Sequence, residues 1–443
     1  MFVLIQEPEN TARKYKAFMN NRLLRVLKIR PFFYLWMAEI FSQIAVNMLN
    51  FILIVVAFEL TSSNTAVSGI VLSFTIPAIL LGVLAGVYVD RRNKKTMLVV
   101  TNMVRGFLLL LLVFFHANIF FIYAISLLIA IVTQFFIPAE TPIIPLLVNK
   151  NLLLSANALF GVGIFGSVLI AYALSGPFLL FFQQTYVFMV LAIFFFIASI
   201  FSLLIQIPQQ KKSVLDQQSG QFNVALKDEI KNLFRLMSRT KAIYSSLFLL
   251  TMSQVIVLVL AVIGPGYASQ ILGIKVYEFP LAFVTPAALG MFLGAILIGN
   301  FFHNRAKEKM TTIGVMLSGV TILLLPYGSK VASRGFVQAI NGYLPHIFVI
   351  NILHFMVFLA FLLGFANALI FVPSNTILQE KTTDAFRGKV YGALNALVGI
   401  FSLLPIILVG GLADLIGVGR VITGIGSSIL FLGVLRFLFS IKH

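Results

Sequence analysis

Phe136-Ile-Pro138-Ala-Glu140-Thr141 returns 235 positions later as Phe371-Val-Pro373-Ser-Asn375-Thr376. Each copy closes an apolar run too long and too uncharged for a soluble core. Asn157-Ala-Leu returns as Asn395-Ala-Leu at an offset of 238, and Gly86-Val-Tyr-Val-Asp90-Arg-Arg-Asn-Lys94 is matched more weakly by Gly299-Asn-Phe-Phe-His303-Asn-Arg-Ala-Lys307 at 213. The members of each pair fall at the same place within their halves, so the chain reads as a tandem duplication.

Outward from these anchors the sequence divides into twelve apolar segments: 31–58, 66–89, 97–116, 118–147, 152–182 and 184–207, then 242–272, 280–302, 310–327, 346–372, 389–413 and 417–440. A helix needs about 20 apolar residues to cross the hydrocarbon core, and each segment is near or above that length. Composition agrees: 60% of residues are hydrophobic, 10% are charged, and the mean hydropathy is +1.03. A soluble domain carries about 25% charged residues. The expected fold is therefore an all-α membrane protein, with twelve helices in two six-helix bundles related by a pseudo-twofold axis. Its divisions are a lead-in over 1–30, bundles over 31–207 and 242–440, a polar linker over 208–241 and a tail over 441–443. Pro77, Pro138, Pro265 and Pro405 lie within or near the ends of spans, where neighbouring helices satisfy the freed carbonyls.

Charge placement gives the sidedness. With the N-terminus taken as cytoplasmic, 28 of the 32 Lys and Arg fall in cytoplasmic segments, Arg105 being counted with the loop between spans two and three. Only Lys275, Lys330, Arg334 and Arg420 fall outside. That split follows the positive-inside rule and places both termini in the cytoplasm of a cell-membrane protein. The net charge of +18 is thus an orientation signal toward anionic inner-leaflet lipid, and no nucleic-acid partner is needed. Residues 1–30 lack the apolar core and small-residue cleavage site of a signal peptide. In the linker, Phe222, Leu226, Ile230, Leu233 and Met237 form one helical face and Lys227, Lys231, Arg235 and Arg239 another, the pattern of a basic amphipathic helix lying on the inner leaflet.

Several chemistries are excluded. The chain has no cysteine and five scattered histidines, so neither disulfides nor a metal centre is expected. No GxxxxGK[ST] loop is present, so energy must come from an ion or substrate gradient. No clustered catalytic set stands in a span, so an enzyme is not expected, and no cofactor is expected. Gly161-Val-Gly163-Ile-Phe-Gly166 matches the GxGxxG fingerprint. It lies inside an apolar helix, with Phe at 181 and 182 where the acidic partner should stand, and reads as close helix packing.

Gly86-x-x-x-Asp90-Arg91-x-x-Lys94-Lys95 resembles the signature loop between helices two and three of the major facilitator superfamily. The opening FYLWMAEIFSQIAVNM, the segment IPAETPIIPLL with LLLSANAL after it, and the run Thr383-Asp-Ala-Phe-Arg-Gly-Lys-Val-Tyr-Gly392 resemble its macrolide-efflux and enterobactin-exporter branch. The likeness covers essentially residues 31–440. In two places the sequence departs from it: Gly-Pro falls at 176–177 instead of near 171–172, and span four holds no arginine. The resemblance implies alternating-access export of an amphipathic small molecule, coupled to an ion gradient with the proton as coupling ion, by a monomer. An importer, a lipid-linked-substrate carrier and a transport-dead receptor stay open as alternatives. It also implies an inner gate in which Asp90 bridges to the start of span eleven, with Gly86 allowing close packing and Asp384 and Arg387 as second-half candidates. His303 replaces the acid in the second half, so the gate should be asymmetric.

Within the spans, acids are rare. Glu39 stands eight residues past Pro31, about 12 Å along a helix. A carboxylate at that depth must be paired, hydrated or protonated, so Glu39 is the candidate proton carrier or counter-charge for a cationic substrate. The alternative is a packing acid hydrogen-bonded to Gln43. Glu59, Glu140, Glu278, Glu380 and Asp414 lie near span ends, where water is expected to reach them. Gln43, Asn47, Gln134, Asn157, Asn367, Asn375 and Asn395 either line a cavity or make interhelical hydrogen bonds.

Overall fold

The structure, a computed structural model, describes residues 22–90, 92–207, 241–301, 307–327, 352–382 and 384–441. Among the described residues it has 12 helices long and apolar enough to cross a membrane. They are α1 (Arg30–Thr61), α2 (Asn64–Asp90), α3 (Lys94–Phe115), α4 (Ile119–Glu140), α5 (Leu153–Phe181), α6 (Gln184–Leu204), α7 (Lys241–Gly266), α8 (Thr285–Phe301), α9 (Lys307–Tyr327), α10 (Ile352–Lys381), α11 (Asp384–Ile416) and α12 (Val418–Ile441). A 3₁₀ turn and a short helix carry the fourth span on to Leu147.

Side chains cap the ends where a turn must be tight. Asn93 accepts from the Thr96 amide at the start of α3, and Asn118 accepts from the amides of Phe120 and Phe121 at the start of α4, satisfying first-turn donors that lack an intrahelical partner. α1 ends in a left-handed residue, Ser62, and the α11–α12 turn uses Gly417 at φ +90°. Between α7 and α8 the chain winds as two π-helical segments, Tyr267–Leu272 and Pro280–Val284.

In the first half α1 packs on α5 and α6, α2 on α4, and α3 on α4 and α6; in the second, α7 packs on α10 and α11, α8 on α10, and α9 on α10 and α12. Small residues set the closest approach. A Cβ at Gly290 would overlap the Phe361 carbonyl, and one at Gly364 the Ala287 carbonyl, so α8 and α10 meet backbone to backbone, as lipid-embedded helices do.

The two halves meet mainly through α2 against α11 and α7, and through α5 against the α7–α8 connection. From mid-depth, where Gly399 of α11 leaves room for Ile79 of α2, to the distal face, where Gly410 meets Ser68, this seam is continuous. "Distal" denotes the face carrying the α1–α2 and α11–α12 turns. Toward the opposite, basic face, Asn157 of α5 and Asn395 of α11 are exposed, and a Cβ at Gly86, Gly161 or Gly166 would meet nothing within 4 Å. Among the described residues the halves are closed against each other distally, whereas the positions named toward the basic end are exposed or face open space.

Candidate functional site

The first bundle holds a buried ionisable cluster. Glu39, nine residues or about 14 Å into α1, is 0% exposed. One turn on, Gln43 Nε2 donates to Glu39 Oε1 at 2.9 Å. After another turn Asn47 Nδ2 donates to Gln43 Oε1 at 3.1 Å and to the Gln43 carbonyl at 2.8 Å. Residues at i, i+4 and i+8 share one helix face, and the three side chains form a ladder whose donors all point toward the acid.

Two sequence expectations are corrected at this cluster. Arg105, counted with a cytoplasmic loop, lies eleven residues inside α3 and is 1% exposed. The apolar run 97–116 already encloses it, and it stays inside because its guanidinium finds neutral acceptors and two phenyl faces there; the helix itself begins at Lys94, where Asn93 caps it. Glu140, expected to be solvated near a span end, is 4% exposed, since the fourth span runs on past it. Its carboxyl group faces that of Glu39 within hydrogen-bonding reach, and Arg105 is the nearby cation of both.

The guanidinium is held by neutral groups. Arg105 Nη2 donates to Asn102 Oδ1 at 2.7 Å and to Ser42 Oγ at 3.0 Å, and Nε donates to the Thr101 carbonyl at 3.3 Å. Its carbon centre lies 4.5 Å from the Phe136 ring and 4.7 Å from Phe195, a desolvated cation–π arrangement. Glu39 Oε2 and Glu140 Oε1 are buried without a hydrogen-bond donor. Two facing carboxylates offer only acceptors; a single proton between them would satisfy both oxygens.

Beside the cluster, Trp36 Nε1 donates to the Leu159 carbonyl of α5 at 3.0 Å. A Cβ at Gly163 would come within 2.6 Å of that nitrogen. Of the three glycines in the GxGxxG match, Gly163 seats the indole, whereas Gly161 and Gly166 face open space.

The other amides are dispersed. Asn367 lies against Ser253 of α7 and Met291 of α8, and Asn375 accepts from Tyr391 of α11. Gln134 donates to the Ala130 carbonyl of its own helix at 3.4 Å. Asn157 and Asn395 are exposed. Of the expected gating loop, Gly86 lies in α2 and Lys94 and Lys95 open α3. Arg91, residues 302–306 and 208–240, and the side chains of Asp90, Asp384 and Arg387 lie outside the described residues. Among the described residues one ion pair forms, Lys307 with Glu380 at 2.6 Å, between α9 and α10.

The duplication sharpens the cluster's meaning. Ser42-Gln43 of α1 recurs as Ser253-Gln254 of α7 at an offset of 211, a signal available in the sequence. At the same offset Leu250 stands in place of Glu39, and at 235 Asn375 stands in place of Glu140. The second half keeps the scaffold and lacks these two acids.

Residues 35–344 match the family model of the Major Facilitator Superfamily. The uncharacterized MFS-type transporter YvqJ of Bacillus subtilis (strain 168) is 22% identical, over 82% of this chain and 81% of its own. A variant of the nucleoside transporter NupG superposes with a TM-score of 0.71 at 13% identity, covering 92% of this chain and 100% of its own. A bacterial homolog of the human lysosomal transporter Spinster, inward-facing and unoccupied, gives 0.65 at 12% identity, covering 95% and 98%. Likeness at that identity establishes the fold.

Proposed function

The chain belongs to the Major Facilitator Superfamily of membrane transporters, and from that premise we propose that it is a proton-coupled secondary transporter exporting hydrophobic or amphipathic small molecules by alternating access. The basic face is the cytoplasmic one on this reading, in the cell membrane, and the described state is the one that loads substrate from inside. The substrate class is taken from the resemblance of the motifs to the macrolide-efflux and enterobactin-exporter branch.

The observation that carries the coupling is the buried pair Glu39 and Glu140 beside one guanidinium. One fixed cation balances one carboxylate, and like charges in a low-dielectric site cannot both persist. The set therefore holds a proton at rest and yields it only when the bundle rearranges to admit water or a substrate cation. The Asn47–Gln43 ladder carries that event along α1. Only the first half carries these acids, so the driving ion acts on one bundle and the other follows.

The test uses proteoliposomes, a panel of lipophilic dyes and drugs, and imposed pH or sodium gradients. Outward transport of a panel member driven by a pH gradient is expected, and sodium alone should drive none. Glu39→Gln, which mimics the protonated acid, should abolish gradient-driven accumulation while substrate exchange persists. Accumulation at the unmodified rate and with the same pH dependence would discard the coupling assignment; accumulation only in the inward sense would replace export by import.

A further inference from the structure

On the distal face the N-terminus of α2 is capped by an acid from the other half of the chain. Asp414 stands two residues before the end of α11. Its Oδ1 accepts from the Asn64 amide at 2.8 Å and from Asn64 Nδ2 at 2.9 Å. Its Oδ2 accepts from Ser63 Oγ at 2.6 Å, Thr65 Oγ1 at 2.7 Å and the Thr65 amide at 2.9 Å. The first amides of a helix have no intrahelical acceptor and carry partial positive charge. Ordinarily a residue just ahead of the helix serves them; here the acceptor lies 350 positions away.

A second, uncharged set of contacts follows one turn down. Ser68 Oγ donates to the Ile406 carbonyl of α11 at 2.9 Å, and a Cβ at Gly410 would overlap Ser68 Oγ and meet the Asn64 carbonyl at 2.8 Å. The side chain of Asn64 is 0% exposed and fits against Gly266 of α7, where a Cβ would overlap its Oδ1. The end of α2 is thus seated in a glycine-floored groove of the second half, with the Asp414 carboxylate at its rim.

We propose that Asp414 is the distal lock of the transport cycle, holding α2 to α11 while the basic face is open. The inference rests on the alternating-access reading. All five bonds converge on one carboxylate, so any rotation that parts α2 from α11 at this face breaks them together, and the contact acts as a two-position switch. Asp414, Ser63 and Thr65 are exposed or partly so, and opening hands their polar groups to water instead of lipid. The closed state is therefore favoured without being permanent.

The chain has no native cysteine, so spin labels can be placed at will. One pair, on cysteines at Ala117 and Lys275, spans the halves on the distal face; a second, at Arg92 and Lys381, spans them on the basic face. Asp414→Asn keeps the volume and one acceptor oxygen but loses the charge. In nanodiscs it should raise the ratio of distal-open to distal-closed molecules about tenfold, with the basic-face distance shortening in the same fraction. Gly410→Leu, a wedge that leaves the carboxylate intact, should move both distances the same way, and Ser63→Ala with Thr65→Val less far. Distributions for Asp414→Asn that superimpose on those of the unmodified protein would overturn the lock. Distal lengthening without basic-face shortening would keep the lock and overturn the alternating-access reading.

Discussion

Arg105 is the residue on which the cluster turns. Its guanidinium fills a site built from two phenyl faces and three neutral acceptors. Arg105→Met removes the single cation beside two buried acids. Breaking such a set costs about 3–5 kcal/mol when one partner is deleted, and a lowered thermal-unfolding midpoint in detergent should report it. Arg105→Lys keeps the charge, but its compact ammonium lacks the planar fork that reaches Ser42 and Asn102 together, so an intermediate midpoint is expected. Glu140→Gln separates two roles for the pair. If a single proton is shared, this variant should lose gradient-driven accumulation as fully as Glu39→Gln does. Full accumulation in Glu140→Gln would leave Glu39 as the lone carrier.

At the scale of the helix, hydropathy and the duplicated Phe-x-Pro-x-x-Thr anchors suffice to read the twelve spans and the all-α class, because a segment surrounded by lipid must be apolar throughout. Depth and rotation about each axis are less legible. A helix that is apolar on every side has no periodicity to show which side faces its neighbours, so an arginine three turns into α3 reads as flanking charge, and a glutamate two residues after Pro138 reads as a span end. The ladder of Glu39, Gln43 and Asn47 is legible for the converse reason: polar side chains at four-residue spacing in an apolar run mark a face. The glycines of α5 test how far such reading goes. Gly163→Ala must push the Trp36 indole off its seat and should cost about 1–3 kcal/mol. Gly161→Ala and Gly166→Ala meet open space and should leave thermal stability unchanged or slightly raised, since alanine is the better helix former.

For the whole molecule, orientation is the cheapest property to check. Single cysteines at Ala117 and Lys275 should react with an impermeant maleimide applied to intact cells, and those at Arg92 and Lys381 only after permeabilisation. Inverted labelling would reverse both the orientation and the direction in which the described state loads. The distal seam and the ionisable cluster lie in different places, one between the halves and one within the first, so substitutions in one should leave the other's readout intact. Trp36, the sole tryptophan of the chain, stands about one helical turn from Glu39 with its N–H anchored to α5. An indole's excited state carries a larger dipole than its ground state, so a charge appearing at fixed distance and angle shifts the colour of its emission. The protein is thus stained at a single point beside its own charge cluster, and its fluorescence spectrum should change when a proton enters or leaves, in a label-free sample and without any substrate in hand. The same titration on Glu39→Gln should run flat.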